Sequence, residues 1–178
     1  MIENVKLGNL NKTTACAPNG YANYTATDTA NIIRGANNAM VVTTGDSWTE
    51  QVGVWIDYDR SGTFEASEFT NLGSTGAGSG GIHNGVIAVP GTTALGYTRM
   101  RVRVRFSTAL TGANACLAYL YGETEDYTVN IVPCVQGVIV TQPVNKSVTC
   151  FGNTTFSVTA TGSVLTYKWE YRTSATGP

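Results

Sequence analysis

The sequence contains little of what several large classes of protein depend on. Only 13% of its 178 residues are charged and the formal net charge is −1, so it lacks the basic surface that nucleic acids and anionic membranes attract. It has one histidine and no C-x-x-C pair, so a zinc site is not expected. No apolar run could span a bilayer and no segment keeps a helical period. These absences favour a β-rich protein without nucleic acid partners or membrane insertion.

The residues that are abundant indicate short strands. Glycine and threonine are frequent and 42% of the residues are apolar, which is typical of strands and tight turns around a buried core. Apolar and β-branched runs predict strands at residues 2–7, 40–44, 51–57, 85–89, 98–106, 126–132, 138–141, 155–161 and 165–171. Residues 29–34 are the one candidate for a helical turn, and the glycine-rich residues 73–81 predict a flexible loop. We therefore expect an all-β fold.

The chain is expected to divide near the Pro133–Cys134 peptide bond. Residues 1–133 predict an antiparallel, jelly-roll-like β-sandwich. Residues 134–178 resemble the first strands of an immunoglobulin-like domain, with Trp169 as the core tryptophan of the third strand. Because such a domain needs about seven strands, we expect this second domain to be truncated. No signal peptide precedes the first predicted strand, so we also expect an internal piece of a longer chain.

Residues 57–68 carry the ligand order of an EF-hand-type calcium loop. Gly62 stands at the sixth position, where the chain of such a loop turns sharply. The flanking residues 51–56 predict a strand, so we expect the loop on a β scaffold instead of between two helices. The alternative is an acidic turn that binds no ion. The predicted ligands of Ca²⁺ are Asp57, Asp59, Ser61, Thr63 through its carbonyl, and Glu68, with Glu65 at the ninth position.

One aromatic residue, Phe64, is expected to attach this loop to the core. Phe64 lies at the eighth loop position, from which we expect its ring to point inward. Trp55 precedes Asp57 by two residues, so both side chains leave the same face of the strand. Val54 and Ile56 are expected on the opposite face.

A second acidic motif occurs at residues 121–127, which read Tyr-Gly-Glu-Thr-Glu-Asp-Tyr. Its carboxylates, Glu123, Glu125 and Asp126, repel one another unless a cation or an arginine neutralises them. Calcium is one candidate for that role. The other is a stripe of arginines that alternates with apolar residues along a predicted strand and would pair across the sheet. The stripe could instead bind an acidic sugar, sulfate or phosphate. Its members are Arg99, Arg101, Arg103 and Arg105.

Four cysteines are consistent with disulfides and an oxidising, extracellular setting. Among the three pairings that four cysteines allow, we favour Cys16 with Cys116, and Cys134 with Cys150. The alternative is that the cysteines are buried free thiols.

Catalysis has little support in the sequence. His83 has no nucleophile near it in the sequence, and we expect it to be a solvated loop residue. The best-spaced carboxylates already belong to the calcium loop. Several aromatic residues could stack on sugar rings, although packing in the sandwich explains them equally well. They are Tyr21, Tyr24, Trp48, Tyr58 and Tyr97.

Together, residues 55–64 (Trp-Ile-Asp-Tyr-Asp-Arg-Ser-Gly-Thr-Phe), 98–103 (Thr-Arg-Met-Arg-Val-Arg) and 121–127 resemble the GEVED domain, which is named after a Gly-Glu-Val-Glu-Asp run. Thr124 replaces the valine of that run here. The resemblance extends over about residues 1–133, and immunoglobulin-like repeats often accompany such domains.

The resemblance implies a non-catalytic module of a large secreted or cell-surface protein of the Bacteroidetes group, exported by the type IX route. By motif position it implies metal ligation by the loop residues given above and, more weakly, by Glu125 and Asp126. We expect a calcium-stabilised structural or adhesive role. The alternative is a carbohydrate- or peptide-binding accessory module of a secreted hydrolase or protease. The expected partners are neighbouring β-sandwich domains of the same protein, surface glycans or other cell-surface proteins.

Overall fold

The computed structural model describes residues 1–171. The chain divides into two compact units, Met1–Pro133 and Cys134–Pro178. Strands dominate the described residues, and the helices among them are single 3-10 turns at Pro18–Gly20, Ala66–Glu68 and Gly112–Asn114. The predicted all-β fold is therefore confirmed. Residues 172–178 of the second predicted domain lie outside the described part of the chain.

Two sheets build the first unit. Its strands in chain order are β1 (Ile2–Leu7), β2 (Leu10–Thr13), β3 (Tyr21–Asn23), β4 (Thr29–Ile33), β5 (Asn37–Thr44), β6 (Glu50–Ile56), β7 (Phe69–Thr75), β8 (Ile82–Ala88), β9 (Gly96–Phe106) and β10 (Gly122–Val132). The first sheet has the order β2–β1–β5–β8 and the second has the order β3–β10–β9–β6–β7, with β4 also paired to β10.

The two sheets enclose one apolar core between them. Val5 and Met40 enter it from the first sheet, and Val54 and Val129 enter it from the second. Strand β9 shows how a period of two builds this layer, because Met100, Val102 and Val104 are fully buried while the arginines between them leave the opposite face. The predicted β-sandwich is thus present, with its core where the alternation indicates.

The edge of the second sheet differs from the prediction. Residues 29–34, the candidate helical turn, instead contribute strand β4 (Thr29–Ile33). Its alternate residues Ala30 and Ile32 are fully buried, which a strand achieves and a helical turn does not. Both β4 and β3 run parallel to β10, whereas the other pairs in the two sheets are antiparallel.

The described part of the second unit contains a two-stranded antiparallel sheet of β11 (Val138–Thr141) and β12 (Thr159–Thr161). Predicted residues 165–171 form no strand there. The expectation that Trp169 is a core tryptophan is wrong for the described residues, because its side chain is 59% exposed. Two short strands cannot enclose so large a ring, and Trp169 instead contacts Phe156 at a centroid distance of 6.3 Å.

His83 connects the two sheets of the first unit and is not the solvated loop residue that the sequence predicts. It lies within β8 and is 2% exposed. Its Nε2 is 3.3 Å from Oγ1 of Thr44 on β5 and 3.1 Å from Oγ1 of Thr75 on β7. Burial lowers the pKa of His83 below its ordinary value, so the neutral ring is the form that the fold stabilises.

This burial predicts a pH-dependent stability. The unfolded chain binds a proton on His83 near its ordinary pKa of about 6.5, whereas the folded chain does so only at lower pH. His83 therefore contributes stability above that pH, and the contribution decreases as the pH falls. We expect the difference in free energy of unfolding between the wild type and His83→Gln to shrink between about pH 7.5 and pH 5.5 in urea titrations. A difference that stays constant over this range contradicts the assignment.

Candidate metal centre

The predicted calcium loop begins where β6 ends and closes in the 3-10 turn at Ala66–Glu68. Asp57, Asp59 and Glu68 each contribute a carboxylate oxygen to one cluster, and these oxygens lie within 4.8 Å of one another. Asp57 and Glu68 are buried, whereas Asp59 is exposed. Three of the predicted ligands therefore converge, in a cluster that solvent reaches from one side.

The backbone of the loop is shaped by the same carboxylates. The amide of Gly62 donates to Asp57 Oδ2 at 3.2 Å, and the amide of Ser61 donates to Asp59 Oδ1 at 2.9 Å. Gly62 has a φ of +85°, a conformation that glycine adopts without the steric penalty of a side chain. The prediction that the chain turns sharply at this residue is confirmed.

Asp57 has acceptor capacity that the protein does not use. Its Oδ1 is buried and has no hydrogen-bond partner within the described residues. Its Oδ2 lies 3.7 Å from Nη2 of Arg99, which is a long contact. Buried polar atoms almost always have a partner, so a cation bound at the cluster would satisfy Oδ1. The carboxylate oxygens of the cluster are therefore suitable ligands for a metal ion.

Glu68 is held in place by the backbone of the loop itself. Its Oε1 accepts a hydrogen bond from the amide of Tyr58 at 2.5 Å, and its Oε2 accepts one from the amide of Glu65 at 3.1 Å. Burial raises the pKa of Glu68 to about 7, and the charge of Glu65 adds to this rise, whereas the hydrogen bonds from the amides of Glu65 and Tyr58 oppose it. Without a nearby cation the protonated form of Glu68 is thus favoured, and a bound cation would favour its charged form.

The remaining loop residues form a smaller network beside the cluster. Ser61 Oγ donates to Glu65 Oε1 at 2.9 Å and lies 3.0 Å from Thr63 Oγ1, which also donates to Glu65. The hydrogen bond from Thr63 lowers the pKa of Glu65 more than any other contact, followed by the one from Ser61. Ser61 and Thr63 therefore direct their hydroxyl groups to Glu65, which is outside the group of converging carboxylates.

Phe64 attaches the loop to the outer face of the second sheet and not, as the sequence predicts, to the main core. Its ring packs on a small apolar cluster of Trp55, Leu110 and Ala115. The guanidinium carbons of Arg99 and Arg101 lie 5.4 and 5.0 Å from the centre of the Phe64 ring, within cation–π range. Trp55 and Asp57 share this face, because Val54 and Ile56 belong to the inner core.

The structure does not place Asp126 with the carboxylates of the loop. Asp126 faces Arg101 across β10 and β9. Arg101 Nε and Nη2 donate to its two oxygens, each at 2.7 Å, and the Tyr21 hydroxyl donates to Oδ2 at 2.9 Å. This bidentate pair occupies both oxygens of Asp126, which leaves it a structural partner of arginine.

The two glutamates of the motif project to the inner side of the second sheet. Glu123 accepts hydrogen bonds from the amides of Ile2 and Ala17, both at 2.6 Å. Glu125 is fully buried, accepts a hydrogen bond from the Tyr127 hydroxyl at 2.7 Å, and has its pKa raised by burial. Neither belongs to the converging cluster, so the expected ligation by Glu125 and Asp126 is not supported by the geometry. Sequence reasoning missed the role of Glu123, whose partners are more than 100 positions away.

The arginine stripe is largely occupied by contacts within the protein. Arg103 donates to Oγ1 of Thr124 at 2.9 Å and to the carbonyl of Leu117 at 2.7 Å. Arg99 donates to the carbonyl of Gly62 in the loop. Arg105 lies over the ring of Tyr119 at 4.4 Å and makes no ion pair within residues 1–171. Of the four arginines, Arg101 makes the predicted pair with a carboxylate across the sheet, Arg99 and Arg103 bond mainly to carbonyl or hydroxyl oxygens, and Arg105 keeps free donors.

The four cysteines are exposed, unbonded thiols in the structure. The expectation that they are buried free thiols is therefore wrong as to burial. The pairings of Cys16 with Cys116 and of Cys134 with Cys150 are not formed here and stay predictions.

Substitution of Asp126 tests whether this carboxylate is a structural partner of Arg101 or a ligand of the metal ion. Asp126→Asn leaves a mostly buried guanidinium without its charge partner, which costs about 3 kcal/mol of unfolding free energy. We expect the melting temperature to fall, and any calcium-induced increase in it to persist. Differential scanning calorimetry with calcium and with chelator checks both points. If a folded Asp126→Asn protein lost the calcium-induced increase in melting temperature, Asp126 would be a metal ligand after all.

Comparison with known proteins agrees with the motifs. Residues 51–130 match the family model described as GEVED domain, a stretch that contains the loop, the arginine stripe and the Gly-Glu-Thr-Glu-Asp run. No curated protein matches the chain. The matched stretch starts in β6 and ends in β10, so it contains most of the second sheet and the acidic cluster. Residues 51–130 of the chain are thus similar to the GEVED domain.

Proposed function

We propose that the loop at residues 57–68 binds Ca²⁺ and that the ion stabilises a non-catalytic module of a larger protein. The observation that carries the proposal is the close approach of Asp57, Asp59 and Glu68, one of which, Asp57, has a buried oxygen without a partner. An ion there would satisfy this oxygen and offset the repulsion among the three carboxylates.

The donor set favours calcium over other ions. Every candidate ligand is an oxygen, which hard cations prefer and zinc or copper sites seldom use alone. The cluster is open to solvent at Asp59, so water can complete the six to eight ligands that Ca²⁺ takes. Magnesium needs a nearly ideal octahedron of six ligands, whereas Ca²⁺ accepts a more variable geometry. Ser61 and Thr63 lie close enough in the chain to add neutral oxygens.

The bound ion would stiffen contacts that link the loop to the second sheet. Arg99 on β9 donates to the loop carbonyl of Gly62, and Phe64 covers the Trp55 cluster. Calcium would hold Asp57, at the end of β6, against Glu68, at the start of β7. The ion would therefore strengthen the β6–β7 edge of the sandwich.

We further propose that the domain is not an enzyme. The single histidine supports this, since His83 is buried between threonines and contacts both sheets. Buried between strands, its ring is out of reach of a substrate.

The setting we propose is extracellular, within a multidomain surface protein whose neighbouring β-sandwich domains are its first partners. The GEVED match supports a module of a larger assembly. Among the described residues, no helix combines the length and apolar character needed to cross a bilayer.

The metal proposal is tested by thermal unfolding and titration. A ligand that binds only the folded state adds about 2.7 kcal/mol at a hundredfold excess over its Kd, so calcium should raise the melting temperature by several degrees relative to chelator. Isothermal titration calorimetry should give one site per chain, with weaker binding of magnesium. Terbium luminescence sensitised by Trp55 or Tyr58 reports occupancy directly.

Asp57→Asn should abolish the calcium-induced shift while leaving the chain folded. Asp46→Asn is the matched control, because Asp46 is an exposed aspartate outside the loop whose side chain accepts a backbone amide. Equal melting temperatures in calcium and chelator for the wild type, or an equal shift in Asp57→Asn, would contradict the proposal.

A further inference from the structure

Three aromatic side chains form an exposed ridge on the first unit, away from the calcium loop. Trp48 precedes β6, Phe106 ends β9 and Tyr121 precedes β10. Their exposed fractions are 63%, 41% and 66%. Phe106 contacts Trp48 edge to face at a centroid distance of 5.7 Å and Tyr121 at 6.4 Å. Three adjoining aromatic rings that are each at least two fifths exposed form a candidate binding surface.

A groove of about 540 Å³ lies on one side of the ridge, a volume within the range of ligand sites. Two carboxylates, Glu50 and Glu123, line it together with the ridge. Glu123 is already occupied by two backbone amides. Glu50 is 6% exposed, and its side chain has one contact in the described residues, with the Met1 amino group at 3.5 Å. Glu50 is thus a largely buried acceptor with unused capacity.

A second, smaller cavity of about 260 Å³ shares the ridge residues Phe106 and Tyr121. Arg105 and Thr108 line it. The Arg105 guanidinium is stacked on Tyr119 and makes no ion pair in the part of the chain described. The ridge therefore has a hydrogen-bond acceptor on one side and a hydrogen-bond donor on the other.

This combination selects the chemistry of the ligand. Glu50 would attract a basic peptide, but Arg105 would repel it. Arg105 would attract an acidic ligand, but Glu50 would repel it. A neutral ring with hydroxyl groups suits both sides, because hydroxyls donate to a carboxylate and accept from a guanidinium. The apolar C–H face of such a ring packs on an aromatic face. We propose that this ridge binds a neutral glycan, with Trp48 and Tyr121 as stacking residues, Glu50 as acceptor and Arg105 as donor.

The glycan site is independent of the metal proposal, since none of these residues belongs to the loop at 57–68. Failure of one therefore leaves the other intact. Glycan binding should persist in chelator at a temperature where the domain stays folded, whereas the calcium-induced melting shift should persist in variants of the ridge.

The test uses the full 178-residue chain on an array of neutral and acidic oligosaccharides that also carries a lysine-rich peptide. We expect binding to neutral oligosaccharides, with affinities then measured by calorimetry on the strongest one. Trp48→Ala and Tyr121→Ala should each weaken binding about tenfold or more, as central aromatic contacts do. Tyr97→Ala is the matched control, because Tyr97 is 69% exposed and lines neither cavity, and it should bind like the wild type.

Glu50→Gln and Arg105→Gln test the polar partners, and both should weaken binding while the thermal unfolding transition stays cooperative. The absence of binding to every neutral oligosaccharide would overturn the proposal. Binding that Trp48→Ala and Tyr121→Ala leave unchanged would overturn it as well. Selective binding of the lysine-rich peptide would show that the groove takes basic protein segments, and would equally overturn a glycan site.

Discussion

The first unit depends on the hydrogen bonds that the buried carboxylates of β10 accept. A buried carboxylate is stable only with hydrogen bonds or a charge partner. Glu123 takes the amides of Ile2 and Ala17, Glu125 takes the Tyr127 hydroxyl, and Asp126 takes Arg101. These contacts tie β10 to the N-terminal strand, to its own core tyrosine and to β9. The Gly-Glu-Thr-Glu-Asp run is therefore a set of structural contacts, through which one strand organises both sides of the second sheet.

The acidic loop at residues 57–68 leaves the same requirement partly unmet within the described residues. Glu68 receives two backbone amides and Asp57 receives one, yet Asp57 Oδ1 has no partner and the pKa of Glu68 is raised. Arg99, the nearest cation, is 3.7 Å from Asp57 and half exposed. Glu125 Oε1 on β10 is also buried without a hydrogen-bond partner in the described residues, so the loop differs from β10 in that three of its carboxylates lie close together.

Local sequence spacing predicted the loop well and the pairing of the motifs poorly. The order of oxygen residues around Gly62 identified Asp57, Asp59 and Glu68, because ligands within one short loop converge whenever its turn forms. Alternation placed Trp55 on the same face as Asp57 and Val54 on the opposite face, as the structure has them. Alternation could not decide the partner of Asp126, because either a calcium ion or an arginine can neutralise crowded carboxylates. It also missed the burial of His83, whose threonine partners come from two other strands.

The sequence by itself determined the all-β character, the alternating faces of β9 and the ligand order of the loop, because each follows from residues a few positions apart. Only the tertiary structure decided that β3 and β4 run parallel to β10, that Asp126 belongs to Arg101, and that Trp48, Phe106 and Tyr121 meet beside Glu50 and Arg105. Those contacts join strands distant in the chain, and sequence spacing holds no information about which donor reaches which acceptor until the sheets have packed.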